Sequence, residues 1–326
     1  MKWPEIASPF RLGASGMITH PEKLLFPADG ISKGELAAYY EAIAPLMLPH
    51  LSGRPVTMER FPAGIERKGF LQKNVASGAP EWLNRVDVPH RQGNVQYALI
   101  EDARSLSWLA NQNCITPHVW TSRQPTLDRP DLCVFDLDPA REEPAELRSA
   151  ALEVRDLLLE LGLPSSVKTS GSKGFHIVVP LDGQASYDSV WRFCQGVGAL
   201  LARRHPEQLT QEFLKSERGG RILVDTGRNG PGATLAATYA VRARAGAPVS
   251  APCTWPEIEA GVVHAQSFTL RTMRRRVEAV GDPWQALHVH GQSLHAPLER
   301  LEALLTPQDW AESLAAMTRR SKPRKR

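Results

Sequence analysis

Apolar positions along the chain recur at two spacings, one typical of amphipathic helices and the other of short strands. The first helical stretch follows Ser32 and Glu35, whose three-residue separation is the capping-box pattern of a helix start. It is expected to end near Pro49. Further helices are predicted over residues 105–113, 147–161 and 187–204. Short apolar runs between the helices predict strands over residues 54–60, 70–74, 97–100, 132–138, 167–169, 175–179, 222–225 and 238–242.

Single helices separate these strands, and several strands are joined as hairpins, which favours an α+β fold around antiparallel or mixed sheets. We expect one catalytic domain over residues 1–295, with a small N-terminal α/β extension of about residues 1–60 packed on its core. A C-terminal helix and a basic tail are expected over residues 296–326. No internal repeat interrupts this arrangement.

The composition narrows the class of protein. With 326 residues, 42% of them hydrophobic, the chain can bury a sizeable core, and no apolar run is long enough to predict a membrane span. The N-terminus lacks a secretory apolar segment, and the four cysteines form no Cys-x-x-Cys pair, which disfavours a disulfide framework or a zinc ribbon. We therefore expect a cytoplasmic protein without a membrane partner. The net charge of +4 is compatible with nucleic-acid binding but does not establish it.

Two aspartates lie near the end of the predicted strand 132–138. Side chains on a strand alternate between faces, so Asp136 and Asp138 point to the same side, where their charges repel. Mg²⁺ and Mn²⁺ bind such carboxylates and commonly share them with substrate phosphates. Asp225 ends a second apolar strand. If the two strands are neighbours, three carboxylates converge and hold two cations for phosphoryl transfer. The alternatives are a solvated turn at the first pair and a turn cap at Asp225.

Three further features carry phosphate-binding groups, and each has an ordinary structural alternative. Residues 170–174 read Ser-Gly-Ser-Lys-Gly, which outlines a phosphate cradle but lacks Walker spacing and could be a simple hairpin turn. Arg242 and Arg244 alternate on a predicted strand, where they would face a triphosphate or solvent. The third feature is a group of basic residues that includes one aromatic residue. Such a group suits contacts with DNA phosphates and bases, and the alternative is a set of scattered surface charges. Its members are Lys23, Lys33, Arg60, Arg67, Lys68, Phe70 and Lys73.

The order and spacing of residues 136–139, 169–176 and 223–225 resemble the polymerase domain of bacterial ligase D, a member of the archaeo-eukaryotic primase superfamily. The similarity extends to residues 51–57 and 70–74 and covers about residues 20–260. It implies a primase-like α+β core and a nucleotidyl transferase that fills gaps at double-strand breaks, using two Mn²⁺ or Mg²⁺ ions and preferring ribonucleotides.

The resemblance also implies roles for individual residues. The metal-binding and catalytic acids are Asp136, Asp138 and Asp225. The nucleotide contacts are His118, Ser170, Ser172, Lys173, His176 and Arg242. The DNA contacts are Lys23 and Lys33 at the 5′-phosphate and Phe70 and Leu71 at the template bases. From the basic set described above, Arg60 and Lys73 are also expected to contact DNA.

The chain departs from the family pattern in four places. Leu71 replaces an aromatic residue, and residues 226–229 read Thr-Gly-Arg-Asn where the family has an aromatic followed by Ser-Gln-Asn. Residues 237–242 differ from Ala-Pro-Tyr-Ser-Leu-Arg, and Pro117 precedes His118. Because the acids are intact, the resemblance supports the chemistry more strongly than substrate preference or DNA-end recognition.

The resemblance implies gapped or broken DNA with a 5′-phosphate and NTP or dNTP as substrates. It also implies Ku and a separate DNA ligase as partners. The chain is expected to be a stand-alone relative of the family or an excised domain, and we expect a monomer associated with the nucleoid. Two rival functions remain open. A manganese-dependent glycosyltransferase also uses Asp-x-Asp, but it would ignore DNA. A DNA-end-binding scaffold that has lost catalysis would bind DNA in a salt-sensitive way without incorporating nucleotides.

Overall fold

The computed structural model describes residues 18–90, 93–287 and 291–321, with side chains described as far as residue 316. The strands in these ranges are β1 (Leu24–Phe26), β2 (Ile31–Ser32), β3 (Val56–Arg60), β4 (Phe70–Gln72), β5 (Arg85–His90), β6 (Gly93–Ala98), β7 (Cys114–Trp120), β8 (Ser122–Arg123), β9 (Thr126–Pro130), β10 (Leu132–Asp138), β11 (Ser166–Thr169), β12 (Phe175–Pro180), β13 (Leu209–Thr210), β14 (Ile222–Asp225), β15 (Thr234–Ala236) and β16 (Pro252–Cys253). The helices are α1 (Lys33–Leu51), α2 (Ala103–Asn111), α3 (Pro144–Glu160), α4 (Tyr187–Arg204), α5 (Trp255–Glu259), α6 (Met273–Val280), α7 (His295–Leu304) and α8 (Pro307–Ser321). None of the described helices has the length and apolar character needed to cross a membrane.

The chain separates into two compact units. The first comprises Met1–Pro125, Thr234–Pro252 and Gln266–Pro283, and the second comprises Thr126–Ala233, Cys253–Ala265 and Trp284–Arg326. The predicted division into residues 1–295 and 296–326 stays a prediction, and residues 1–17 and 322–326 of the predicted extension and tail lie outside the described residues.

The first unit is built on a sheet with the strand order β15-β7-β3-β6-β5, in which β4 also pairs with β3. Helix α1 packs against α2 and begins as predicted, because the Ser32 side chain accepts from the Glu35 N–H and the Glu35 carboxylate accepts from the Ser32 N–H. The helix continues through Pro45 and Pro49 to Leu51. Its long buried face, which includes the fully buried Tyr40, offsets the hydrogen bonds that the prolines cannot make.

The second unit contains a mixed sheet with the order β13-β14-β10-β12-β11-β16. Strand β10 is central and pairs antiparallel with both β12 and β14, whereas β13 and β14 are parallel. Helices α3 and α4 contact this sheet, and α7 and α8 pack on α4. Apolar side chains such as Phe135, Ile177 and Phe193 are fully buried in the core. The predicted α+β class with mixed sheets is therefore observed.

Residues 238–242 do not form the predicted strand. Tyr239 has φ of +66°, a left-handed conformation incompatible with extended backbone. Tertiary contacts hold it there, because its hydroxyl donates to Asp282 Oδ1 at 2.7 Å and its carbonyl accepts from the Tyr39 hydroxyl at 2.8 Å. The Arg244 N–H donates to the Arg242 carbonyl at 2.8 Å, so the backbone turns between the two arginines. Arg242 and Arg244 therefore do not alternate on a strand, and this prediction was wrong.

Candidate active site

The three predicted acids of the second unit meet on two adjacent strands, and a histidine lies on the strand beside them. Asp136 of β10 lies directly opposite Asp225 of β14 on one side and opposite His176 of β12 on the other. Asp138 lies two residues further along β10 and therefore shares a face with Asp136. Cross-strand partners have Cβ atoms about 5 Å apart. The two strands that carry the acids are therefore neighbours, which is the condition set by the sequence, and their three carboxylates are brought together.

Burial and neighbouring charges shift the pKa of Asp136. Burial raises the pKa of Asp136 to about 6; the Arg228 guanidinium opposes this shift, while the charges of Asp225 and Asp138 reinforce it. Asp225 is itself only 7% exposed. Three acids in such surroundings need added positive charge to remain ionised together. A divalent cation with a preference for oxygen ligands would supply that charge, so the donor set fits Mg²⁺ or Mn²⁺.

Each acid is held by protein partners in this structure. Arg218, whose side chain is 2% exposed, donates to Asp138 Oδ2 at 3.0 Å and to the Asp138 carbonyl at 3.1 Å. Arg228 Nε lies 3.4 Å from Asp136 Oδ2, and His176 Nε2 lies 3.5 Å from Asp136 Oδ1. Across residues 18–90, 93–287 and 291–316, no three His, Cys, Asp or Glu side chains are arranged as a ready ion-binding group. An ion bound here would therefore have to compete with the two arginines.

The turn that joins β11 to β12 is organised by its first serine. Ser170 is 5% exposed, and its hydroxyl accepts from the N–H groups of Ser172 and Gly174, each at 3.1 Å. A Cβ on Gly174 would lie 1.7 Å from the Leu137 carbonyl oxygen, so only glycine lets the turn rest on the acidic strand. Lys173 Nζ lies 3.2 Å from Glu142 Oε1. The predicted hairpin is observed, and it places a glycine-rich turn against β10 next to Asp136 and Asp138.

His118 of the first unit has an acidic partner. Its Nε2 lies 3.2 Å from Glu59 Oε2. Burial acts to raise the pKa of Glu59, but the hydrogen bond and charge of His118, together with the charge of Arg242, bring it below its usual value. Two predicted nucleotide contacts, His118 and Arg242, are therefore close enough to act on one carboxylate.

Several predicted DNA contacts also cluster in the first unit. Phe70 is 48% exposed and Leu71 is 63% exposed, and the Arg60 guanidinium lies 5.5 Å from the centre of the Phe70 ring. Lys33 is buried, and its ammonium donates to the Thr19 carbonyl at 2.7 Å. Burial lowers the pKa of Lys33, and the nearby charges of Lys23 and Arg60 add to the effect. Lys73 is exposed on the segment that follows β4.

Comparison with known proteins identifies the family. The family model described as LigD, primase-polymerase domain, matches residues 32–284. The chain belongs to this family. A multifunctional non-homologous end joining DNA repair protein LigD from Mycobacterium tuberculosis is 36% identical over 260 residues, which cover 77% of this chain and 34% of that protein. The LigD of Pseudomonas aeruginosa is 35% identical over 286 residues, or 87% of this chain and 34% of that protein.

Among solved structures, the polymerase domain from Mycobacterium tuberculosis ligase D in complex with DNA superposes with a TM-score of 0.80 and 34% identity. The match covers 85% of this chain and 99% of that domain. This chain spans about a third of the length of the Mycobacterium and Pseudomonas LigD proteins. It therefore corresponds to the polymerase part of those proteins.

These comparisons confirm the primase-like α+β fold and the predicted enzyme class, a primase-polymerase-type nucleotidyl transferase in a metal-dependent family. They favour neither the glycosyltransferase nor the inactive scaffold. The roles of individual residues in this LigD primase-polymerase domain stay predictions.

The sequence interpretation missed the residues that support the acids. Arg218 lies 80 residues from Asp138 in sequence, and Arg228 lies 92 residues from Asp136. Asn229 clamps the same loop, since its amide accepts from the Val134 N–H at 2.8 Å and donates to the Val134 carbonyl at 2.7 Å. The retained Asn of the otherwise altered 226–229 segment was the available signal for Asn229.

Proposed function

We propose that this LigD primase-polymerase domain adds ribonucleotides or deoxyribonucleotides to the 3′-hydroxyl of gapped or broken DNA during non-homologous end joining. The observation that carries the proposal is the strand register that sets Asp136 opposite Asp225, with Asp138 two residues along β10. This arrangement suits the metal-assisted phosphoryl transfer expected of a polymerase.

In this proposal, Asp136, Asp138 and Asp225 hold two ions, Mn²⁺ or Mg²⁺. The ions would supply charge neutralisation at the reacting phosphate and a lower pKa for the primer hydroxyl. Arg218 and Arg228 balance the carboxylates until ions bind. His176, adjacent to Asp136 across the strand pair, lies next to the reacting groups and contacts the nucleotide.

We propose nucleotide contacts for Ser170, Ser172 and Lys173 of the second unit and, separately, for His118 and Arg242 of the first unit. The Ser170 hydroxyl also holds the turn in shape, because it accepts two backbone N–H groups. Lys173 contributes positive charge that Glu142 balances in this structure. His118 is oriented by Glu59, which accepts from its ring.

The DNA substrate is bound by the first unit. Lys23 and Lys33 recognise the 5′-phosphate, because burial and the charges of Lys23 and Arg60 lower the pKa of Lys33 and an added anion would stabilise its charged form. Arg60 and Lys73 add positive charge to the same DNA surface. The exposed Phe70 and Leu71 stack on template bases. Ku and a separate DNA ligase as partners, a monomeric state and a cytoplasmic, nucleoid-associated location belong to the same proposal.

The test is primer extension with Mn²⁺ on a gapped duplex that carries a 5′-phosphate. Asp225→Asn should remove extension while leaving the fold intact, because the amide keeps the size of the side chain but loses its charge. Asp188→Asn is the matched control, since Asp188 is an exposed acid on α4. If Asp225→Asn extends primers as fast as the parent protein and the control, the assignment of the acids is wrong.

A further inference from the structure

The C-terminal helices α7 and α8 lie beyond the residues matched by the family model, which end at residue 284. Both pack on α4 in the second unit. Gly196 of α4 makes this close packing feasible, because a Cβ there would lie 2.8 Å from Leu305 and 2.9 Å from Leu301. The two helices therefore pack as part of the second unit.

A chain of buried hydrogen bonds runs from α8 through α4 to the acidic edge. The Ser313 hydroxyl lies 3.1 Å from Gln195 Oε1, and Gln195 Nε2 donates to the Thr226 hydroxyl. Gln211 donates to the same Gln195 oxygen at 3.3 Å. Ser313, Gln195 and Thr226 are only 3–4% exposed. Because buried polar groups are costly when unpaired, each member of this chain depends on the others for its position.

Thr226 directly follows Asp225, so these hydrogen bonds lead to the residue next to a proposed ion ligand. The Asp225 carboxylate accepts from the Gly227 N–H at 2.8 Å, which ties its orientation to the backbone that Thr226 begins. Ala316 of α8 lines the same small cavity as Asp225, Thr226 and Gln195. Helix α8 therefore lies directly behind the third acid of the site.

We propose that α8 is a positioning element of the polymerase site, and that Ser313 and Gln195 fix Asp225 through Thr226. This inference rests on the proposed function, because it assigns Asp225 the role of an ion ligand. Neither Ser313 nor Gln195 contacts the reacting atoms in this scheme. They act only by restricting the loop that begins after β14.

The test compares Ser313→Ala, Ser313→Thr and Gln195→Leu in the full chain, with Gln308→Ala as a control on the exposed side of α8. The first readout is amide hydrogen exchange over residues 225–229. The second is the Kd for Mn²⁺ alone, measured by calorimetry. Ser313→Ala and Gln195→Leu should speed exchange and weaken Mn²⁺ binding by about tenfold, the scale of lost support around a metal ligand. Ser313→Thr keeps the hydroxyl and should restore both readouts, and Gln308→Ala should change neither.

A purely structural role for α8 predicts a different result. Ser313→Ala and Gln195→Leu would then lower the Tm but leave exchange over residues 225–229 and the Mn²⁺ Kd unchanged, which would overturn the inference. If Gln195→Leu does not fold, the conservative Ser313→Ala variant decides the matter. If the parent protein neither binds Mn²⁺ nor extends primers, the proposed function fails, whereas the exchange result still decides whether α8 holds the Asp225 loop.

Discussion

Arg228 contacts the carboxylate of Asp136, which we propose as an ion ligand, so removal of its guanidinium should strengthen ion binding. The family has Gln at this position, so Arg228→Gln is a natural substitution. The guanidinium lies 3.4 Å from the carboxylate, a distance at which two unit charges attract by about 5 kcal/mol at an effective dielectric of 20. Because Arg228 is 40% exposed, screening by water reduces its net contribution to about 1 kcal/mol. The Kd for Mn²⁺ should therefore fall about fivefold in the variant.

The effect should depend on pH in a defined direction. Burial raises the pKa of Asp136 to about 6, and Arg228 holds it lower than it would otherwise be. Removing Arg228 raises this pKa further, so protons compete with the ion more strongly in the variant than in the parent protein. The gain in affinity should be full at about pH 8 and should shrink as the pH falls toward the raised pKa.

The assay is calorimetric titration of Mn²⁺ without nucleotide at both pH values. Arg204→Gln serves as the control, because Arg204 lies on the same unit and its guanidinium pairs with Glu160 instead of with one of the three acids. Equal or weaker Mn²⁺ binding by Arg228→Gln at about pH 8 would refute competition between the guanidinium and the ion.

Three further outcomes follow from the geometry. Gly174→Ala places a Cβ 1.7 Å from the Leu137 carbonyl, so the turn must move, and kcat/KM for the nucleotide should fall on the order of 10²-fold in steady-state extension. Leu71→Phe restores an aromatic at an exposed position and should tighten binding to a template overhang by about 1 kcal/mol in fluorescence anisotropy; unchanged affinity would argue against stacking there. Lys33→Gln should reduce the preference for 5′-phosphorylated over unphosphorylated gaps by about tenfold in the same assay, and a retained preference would move phosphate recognition elsewhere.

Local signals predicted the parts of the site that depend on neighbouring residues in sequence. The capping box at Ser32, the hairpin around residues 170–174 and the strand ending at Asp225 each follow from short-range patterns. The adjacency of the two acidic strands was predicted only as the condition for a shared ion site. Neighbouring carboxylates are costly to bury unless they share a counter-charge.

Long-range packing decided what the sequence could not predict. The backbone at Tyr239 takes a left-handed conformation because its hydroxyl and carbonyl are bound by Asp282 and Tyr39, which lie far away in sequence. The pairing of Arg218 with Asp138 likewise depends on strand register, and nothing in the residues around Arg218 announces a carboxylate partner. The acids could therefore be predicted from local sequence patterns, whereas the arginine side chains that contact them could not.

The arginines explain how three carboxylates can meet in a folded chain before an ion binds. Burial, reinforced by the charges of Asp225 and Asp138, raises the pKa of Asp136 to about 6, and without the opposing Arg228 this acid would take up a proton still more readily. Arg218 is buried and donates to two other carbonyls besides Asp138, so it acts as a fixed part of the fold. Arg228 is partly exposed, and its Nε lies 3.4 Å from Asp136 Oδ2, a longer distance than those from Arg218 to Asp138. If the three acids hold divalent ions as we propose, Arg228 is the guanidinium that an ion at Asp136 would replace, and the Arg228→Gln titration tests this exchange directly.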